Sequence, residues 1–295
     1  MTPISRRDAG KLLLASSAGL LVARRMGWGA EYINSVVRGV QIGSSSYSFR
    51  DRDLDACIEA FRTVGLGECE LWDGQVEPRD LKGEALIKWR LTTPLSYFHE
   101  VREKFDRAGV LLYAYTVAFR KGMPDEEIDR AFQMAQALGV KYITSSANVS
   151  TAHRVDTYAQ KYKIMVGFHG HDQTSKLDEF STAETYARAM QGASKYIGVN
   201  LDIGHFTAAG GDPVEYIREH HNKIVLVHLK DRKKDHGANL PFGEGDTPIV
   251  AVLHLLRDNK WKIPANIEYE YGKPGMDTIA EVKKCVEFCK KALET

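Results

Sequence analysis

Cysteine and proline are both scarce in this sequence. Its 295 residues include four cysteines, none of them in a CxxC pair, so neither a zinc knuckle nor a disulfide framework is indicated. The nine prolines are scattered, and no internal stretch is rich enough in proline and serine to form a linker. These absences favour one domain whose stability comes from a hydrophobic core.

A strong charge of either sign is also missing. Forty Lys and Arg residues face 39 Asp and Glu residues, which gives a formal net charge of +1. A protein that holds nucleic acid through many phosphates needs a basic field, so no nucleic-acid partner is expected. With 43% hydrophobic residues, the chain has ample material for the core of an ordinary globular protein.

The first thirty residues differ from the rest. Arg6 and Arg7 precede the uncharged run Leu12–Val22, whose leucines fall on all sides of a helix rather than on one stripe. The run is too short for a stable membrane span, and the layout resembles a twin-arginine export signal. We therefore expect residues 1–30 to direct export to the periplasm. The pattern leaves open cleavage near Ala30 or retention as an anchor. Without this segment the formal charge is −3.

From about residue 38 the chain alternates short β-branched runs with amphipathic segments, which is typical of a parallel sheet. No Gly-rich phosphate turn follows the first run, which disfavours an open doubly wound sheet. Residues 31–295 are therefore predicted to form a single-domain (β/α)8 TIM barrel. The predicted strands are Gly39–Ser44, Glu68–Trp72, Val110–Val117, Val140–Ser145, Ile164–His169, Ile197–Ile203, Ile224–Leu229 and Ile263–Tyr269. Asp53–Val64, Asp125–Leu138 and Thr278–Leu293 are among the predicted helices.

In such a barrel, functional groups lie at the C-terminal ends of the strands. Predicted strands five to eight all end in acidic or histidine residues, and an unpaired Asp or His inside an apolar run would be costly to bury. A bound metal offers a physical reason for them. The residues are His169, His171, Asp202, His205, His228, Lys230, Glu268 and Glu270.

Several strings in this region carry a family resemblance. In order, they are GECELW at 67–72, LDIGH at 201–205, VHLKD at 227–231, FGEGD at 242–246 and IEYE at 267–270. Together they resemble the xylose-isomerase-like barrel superfamily of sugar phosphate isomerases and epimerases. The resemblance implies a divalent metal and a polyhydroxylated carbonyl substrate. Carried over by position, the metal ligands are His169, Asp202, His228 and Glu268.

One ligand departs from the family pattern, which has a glutamate where this chain has His169. Two histidines and two carboxylates suit Mn²⁺, our expectation, or Zn²⁺, Co²⁺ or Fe²⁺. With one face lacking a carboxylate, Glu268 is the predicted base, and His171 or Lys230 the predicted acid. Isomerisation or elimination is then favoured over two-base epimerisation.

The remaining site predictions concern substrate binding. Glu70 and Trp72 are expected at the mouth as a hydroxyl partner and a sugar-stacking platform, and His205 and Glu270 are expected to contact substrate. Because no phosphate-binding loop is apparent, the predicted substrate is a free or oxidised sugar, a glycoside or an inositol.

Three alternative functions share parts of this pattern. The same site would serve a lyase or dehydratase acting on a keto-sugar, and a non-catalytic exported protein that binds a sugar or a metal stays open. An endonuclease IV-like DNA repair enzyme is disfavoured by the charge of −3 and the export signal. The sequence leaves the metal, the bond changed and homo-oligomer formation open.

The export hypothesis predicts the location of the protein. Replacing Arg6 and Arg7 by lysine should keep the folded protein in the cytoplasmic fraction, because the paired arginines are the recognised feature of such signals. Immunoblotting of periplasmic and cytoplasmic fractions measures this outcome. An unchanged distribution would remove the argument for this export route.

Overall fold

The structure is a computed structural model that describes residues 31–272 and 275–295. The predicted export signal at residues 1–30 lies outside this range. Within the described ranges, no helix combines the length and the hydrophobicity that crossing a membrane requires.

Eight parallel strands form a closed barrel, which confirms the predicted (β/α)8 fold. Strand β1 pairs in parallel with β2 on one side and with β8 on the other, so the sheet closes on itself. The strands are β1 Val40–Ser45, β2 Glu68–Trp72, β3 Leu111–Thr116, β4 Tyr142–Ser146, β5 Met165–His169, β6 Ile197–Asp202, β7 Ile224–Leu229 and β8 Ala265–Ile267. Strand β8 ends earlier than predicted, so Glu268 begins the loop that follows it.

Helices surround the barrel, and local capping sets several of their ends. The Asp53 carboxylate accepts a hydrogen bond from the backbone N–H of Ala56 at the start of the first helix, and Gly65 ends that helix at φ +76°. The helices are α1 Leu54–Val64, α2 Gly83–Thr92, α3 Leu95–Ala108, α4 Asp125–Ala137, α5 Ala152–Tyr162, α6 Ala183–Met190, α7 Ile203–Ala208, α8 Pro213–His220, α9 Ile249–Asn259 and α10 Thr278–Glu294.

The main core lies between the strands and the helices. Fully buried apolar side chains there include Phe61, Leu71, Phe132, Val199 and Val286. A smaller cluster of Val225 and Leu226, with the stacked rings of Tyr113 and Tyr142, lies at the N-terminal half of the barrel. Apolar packing at that end leaves the opposite end for polar groups.

Strand register sets the level of those polar groups. His169 is aligned with Asn200 on β6, and His228 is aligned with Asp202 on β6 and with Asn266 on β8. Because parallel strands present their C-terminal ends at one face, these residues lie at the same end of the barrel.

A buried ion cluster anchors the loop after β2. Arg90 on α2 forms ion pairs with Glu77 at 2.7 Å and with Glu127 of α4 at 2.5 Å, and Asp73 lies 4.0 Å away. Three carboxylates therefore share one guanidinium. Burial, together with the charge of Glu77, outweighs Arg90 and raises the pKa of Asp73 to about 7.

This cluster predicts a pH-dependent stability. The folded chain keeps a proton on Asp73 that the unfolded chain, with a pKa of 3.8, releases. The free energy of unfolding therefore falls as pH rises from about 4 to 7. Asp73→Asn should therefore flatten this slope and stabilise the protein at pH 8 by about 1–3 kcal/mol. Urea unfolding at several pH values measures the slope. Asp80→Asn, in the exposed part of the same loop, is the control; an equal effect there would contradict the assignment.

Candidate metal centre

Four predicted ligands meet at the C-terminal end of the barrel. His169 and Asp202 end β5 and β6, His228 lies in β7, and Glu268 directly follows β8. All four are buried, and one potential ligand atom from each lies within 4.8 Å of those of the others. A first-row ion with ligands at about 2.0–2.3 Å separates opposite ligands by about 4.0–4.6 Å, so this spacing fits a single ion.

Three polar atoms in this cluster are buried without an aligned hydrogen bond to any residue that the structure describes: His169 Nδ1, Asp202 Oδ2 and His228 Nδ1. Two of them have charged neighbours, since Asp202 Oδ2 lies 2.9 Å from Lys230 Nζ and His228 Nδ1 lies 3.2 Å from Glu268 Oε2. Leaving buried polar groups unsatisfied is costly. Neutral imidazole nitrogens and carboxylate oxygens both coordinate divalent ions. The residues present therefore fit a metal.

Glu70 holds the far side of the His228 ring. Its Oε2 lies 2.5 Å from His228 Nε2, and its Oε1 accepts hydrogen bonds from Thr144 Oγ1 and from Asn200 Nδ2. A carboxylate that accepts the second N–H of a ligating histidine fixes the ring and its tautomer. The sequence predicted Glu70 at the mouth as a partner for substrate hydroxyls; the structure instead buries it fully beside His228.

Lys230 brings a positive charge into the same cluster. Its buried ammonium lies 2.9 Å from Asp202 Oδ2, 2.8 Å from Glu268 Oε2 and 2.6 Å from Glu270 Oε2. It also lies 3.0 Å from His205 Nε2. The lysine therefore shares two carboxylates with the candidate metal centre, and it binds Glu270 outside it.

Opposite charges set the protonation of these groups. Burial alone would lower the pKa values of Lys230 and His228, but the surrounding carboxylates outweigh it and hold both well above their usual values. Burial alone would likewise raise the pKa of Glu268, which Lys230 and His228 instead hold well below its usual value. Glu268 is therefore ionised at neutral pH.

Two other histidines stay neutral at neutral pH. Burial, reinforced by neighbouring cationic groups, holds the pKa of His169 well below its usual value and lowers that of His171 to about 4. Their ring centroids are 4.9 Å apart. Neutral rings are able to accept a proton or bind a metal, and His171, the predicted acid, lies beside the cluster.

His205 is held between two basic side chains. Its Nε2 faces Lys230, and its Nδ1 lies 2.6 Å from an Nη atom of Arg232. Arg232 in turn binds Asp172 at 3.0 Å. His205 was predicted to contact substrate, but the structure engages both ring nitrogens with protein. Asp172 and Arg232 were not predicted, although Asp172 directly follows His171 and Arg232 directly follows the string VHLKD.

Aromatic rings lie at the end of β2. Trp72, predicted as a sugar-stacking platform, is half-buried and packs edge-to-face against Tyr47, with ring centroids 5.0 Å apart. The guanidinium of Arg50 lies 4.7 Å above the Tyr47 ring. Burial and the nearby charge of Glu270, which is also a partner of Lys230, raise the pKa of Tyr47.

The family is established by comparison with known proteins. The xylose isomerase-like TIM barrel model matches residues 99–292, and the chain belongs to this family. A curated relative, an uncharacterised protein of Methanocaldococcus jannaschii, is 25% identical over 150 residues, which are 50% of this chain and 48% of the relative. The match thus spans about half the length of that relative.

Solved structures share the fold at low identity. A sugar phosphate isomerase/epimerase from Parabacteroides distasonis matches with TM-score 0.64 and 16% identity, covering 90% of this chain and 99% of that one. The probable 3-DHS dehydratase AsbF from Bacillus anthracis matches with TM-score 0.65 and 12% identity over 87% and 99%. The IolI protein with a bound zinc atom matches with TM-score 0.62 and 15% identity over 86% and 96%.

The contact between Glu70 and His228 predicts an effect on metal affinity. Glu70→Gln keeps the shape but removes the charge that fixes the ring, so Mn²⁺ affinity should fall about 10- to 100-fold. Calorimetric titration with Mn²⁺ measures it. Glu59→Gln makes the same charge change at an exposed position on α1 and should bind Mn²⁺ like the wild type. A folded Glu70→Gln protein with unchanged affinity would refute this role.

Proposed function

We propose that this chain is a metal-dependent isomerase or epimerase-like enzyme that acts on carbohydrates by removing a proton next to a carbonyl group. The observation that carries the proposal is the buried His169, Asp202, His228 and Glu268 cluster, with the Lys230 ammonium directly beside it. A proton-transfer enzyme needs an ionised base and a proton carrier at one place, and this cluster supplies both.

The four clustered residues would hold the ion, with Glu70 fixing His228. When bound, a divalent ion would polarise a substrate carbonyl and stabilise the negative charge that develops on its oxygen. Mn²⁺ is the proposed metal, since two imidazoles and two carboxylates suit it. Zn²⁺, Co²⁺ and Fe²⁺ suit the same ligands. The zinc atom in the IolI structure supports a divalent ion in this fold.

Glu268 is the proposed base because it is an ionised carboxylate at the mouth end of β8. The nearby Lys230 and His228 charges hold its pKa low. Glu268 would therefore bind the abstracted proton weakly and pass it on. Lys230 Nζ donates to Glu268 Oε2 at 2.8 Å, and the neutral ring of His171 lies beside His169. Either Lys230 or His171 would then return a proton to the substrate.

One base on one face suits isomerisation by a 1,2-proton shift. It equally suits elimination, in which proton removal is followed by loss of a neighbouring hydroxyl group. The sugar phosphate isomerase/epimerase and dehydratase names of the structural neighbours support these as the first and second candidates. Two-base epimerisation is disfavoured because His169 stands where a second catalytic glutamate would be needed.

The proposed substrate is a free or oxidised sugar, a glycoside or an inositol. Trp72 and Tyr47 offer aromatic faces and edges at the mouth, which suit the apolar C–H faces of such rings. The export signal proposed at residues 1–30 would place the enzyme in the periplasm, where unphosphorylated sugars are the expected substrates.

Deuterium incorporation tests this function. The Mn²⁺-loaded protein should incorporate solvent deuterium next to the carbonyl of one of a panel of aldoses, ketoses and 3-keto-glycosides in D₂O. Glu268→Gln should slow this by about 10²–10⁴-fold, because an amide does not act as a base. Proton NMR follows the exchange, at saturating Mn²⁺ so that a weakened site is still filled.

Glu270→Gln is the matched comparison because it removes the other carboxylate bound to Lys230. It should raise KM more than it lowers kcat if Glu270 binds substrate. A Glu268→Gln protein that exchanges at the wild-type rate would refute the proposed base. Tight sugar binding with no exchange by the wild type would instead indicate the non-catalytic binding protein.

A further inference from the structure

One more carboxyl group, that of Glu68, is buried in the barrel below the candidate metal centre. Glu68, the first residue of β2, is 1% exposed, and Asn266 of β8 is fully buried. Asn266 Nδ2 donates to Glu68 Oε1 at 3.4 Å. The two side chains come from strands that are not neighbours, because β1 lies between β2 and β8.

Gly43 of β1 makes this meeting of side chains possible. A Cβ atom placed on Gly43 would lie 1.8 Å from Glu68 Oε2 and 2.4 Å from Asn266 Oδ1. Both oxygens therefore face the same small space above the glycine. Any larger residue in β1 would keep the two side chains apart.

These two oxygens are also the atoms that have no hydrogen bond. Glu68 Oε2 and Asn266 Oδ1 are both buried without a partner among the described residues. An ionised carboxylate and an amide oxygen are acceptors only, so neither satisfies the other. One proton on Glu68 Oε2 changes this, because the acid then donates to Asn266 Oδ1 while Glu68 Oε1 accepts from Asn266 Nδ2.

We propose that Glu68 is a neutral carboxylic acid that forms a two-hydrogen-bond ring with the Asn266 amide, and that this pair positions Glu70 and Glu268 around His228. Both carboxylates lie two residues further along the same strands, or directly beyond them, on the same side of the backbone. Glu70 contacts His228 Nε2, and Glu268 contacts His228 Nδ1. The inference rests on the proposed metal centre for its functional consequence only.

The charged surroundings agree with a neutral acid. Burial is the largest effect and raises the pKa of Glu68 to about 8; Glu70 raises it further, whereas the Asn266 hydrogen bond and His228 lower it. Tyr113 is the other titratable group that faces Glu68, and burial raises its pKa too, so it stays neutral. The barrel therefore carries an uncharged acid directly below Glu70.

Infrared difference spectroscopy tests the protonation state on metal-free, full-length protein. The wild-type minus Glu68→Gln spectrum at pH 6 should contain the C=O stretch of a protonated carboxyl group, shifted in D₂O and lost above about pH 8. Glu59→Gln, an exposed ion-paired carboxylate, should give only ionised carboxylate bands. A Glu68 difference spectrum at pH 6 with only ionised carboxylate bands would overturn the proposal.

Mn²⁺ titration tests the positioning role. Glu68→Gln keeps two hydrogen bonds with Asn266 and should bind Mn²⁺ within about twofold of wild type, whereas Glu68→Ala should lose about tenfold. If Glu68→Gln loses as much affinity as Glu68→Ala, or neither loses any, positioning by the pair is wrong. The infrared result does not depend on metal or turnover, so it separates failure of this pair from failure of the proposed enzyme function.

Discussion

The contact between Glu70 and His228 is the interaction on which the rest of the site depends. His228 lies in the middle of the polar cluster, with Glu70 on one ring nitrogen and Glu268 on the other. If Glu70 did not fix the ring, His228 would have no defined side to present, and Glu268 would lose a charged neighbour. The contact spans the inside of the barrel, because β2 and β7 supply its two partners and are separated by β1 and β8.

Charge balance explains why so many ionisable groups share this space. Glu70, Asp202, Glu268 and Glu270 are the carboxylates. Lys230 offsets one of them, and a protonated His228 offsets a second only while no ion is bound. Isolated buried charges are expensive, so they persist only when paired or bound to a metal. With His228 neutral as a ligand, three negative charges remain, and a divalent ion would offset two of them. Lys230 has a second partner in Glu270, so its charge remains compensated when an ion takes up the Asp202 and Glu268 oxygens.

Much of this arrangement could be predicted from sequence because a parallel barrel converts strand ends into one surface. Three of the clustered residues, His169, Asp202 and His228, lie at or next to the last residue of a predicted strand. Their common location therefore follows from the strand pattern alone. The position of Glu70 could not be predicted in the same way. The strand pattern does not distinguish a glutamate that faces substrate at the mouth from one that packs inside the barrel. Only closure of the barrel brings Glu70 against His228. Its alternation with Glu68 was the available signal, since both point to the barrel axis.

The structure also places two carboxyl groups with different hydrogen-bond partners close together in one barrel. Glu70 has three hydrogen-bond partners, Thr144, Asn200 and His228. Glu68, two residues earlier, has a single amide donor and packs against a glycine, so the acid form satisfies it better. The two carboxyl groups are similarly buried and differ in their supply of hydrogen-bond donors. His169 is buried with no acidic partner at hydrogen-bond distance among the described residues, which favours the neutral ring that metal ligation requires.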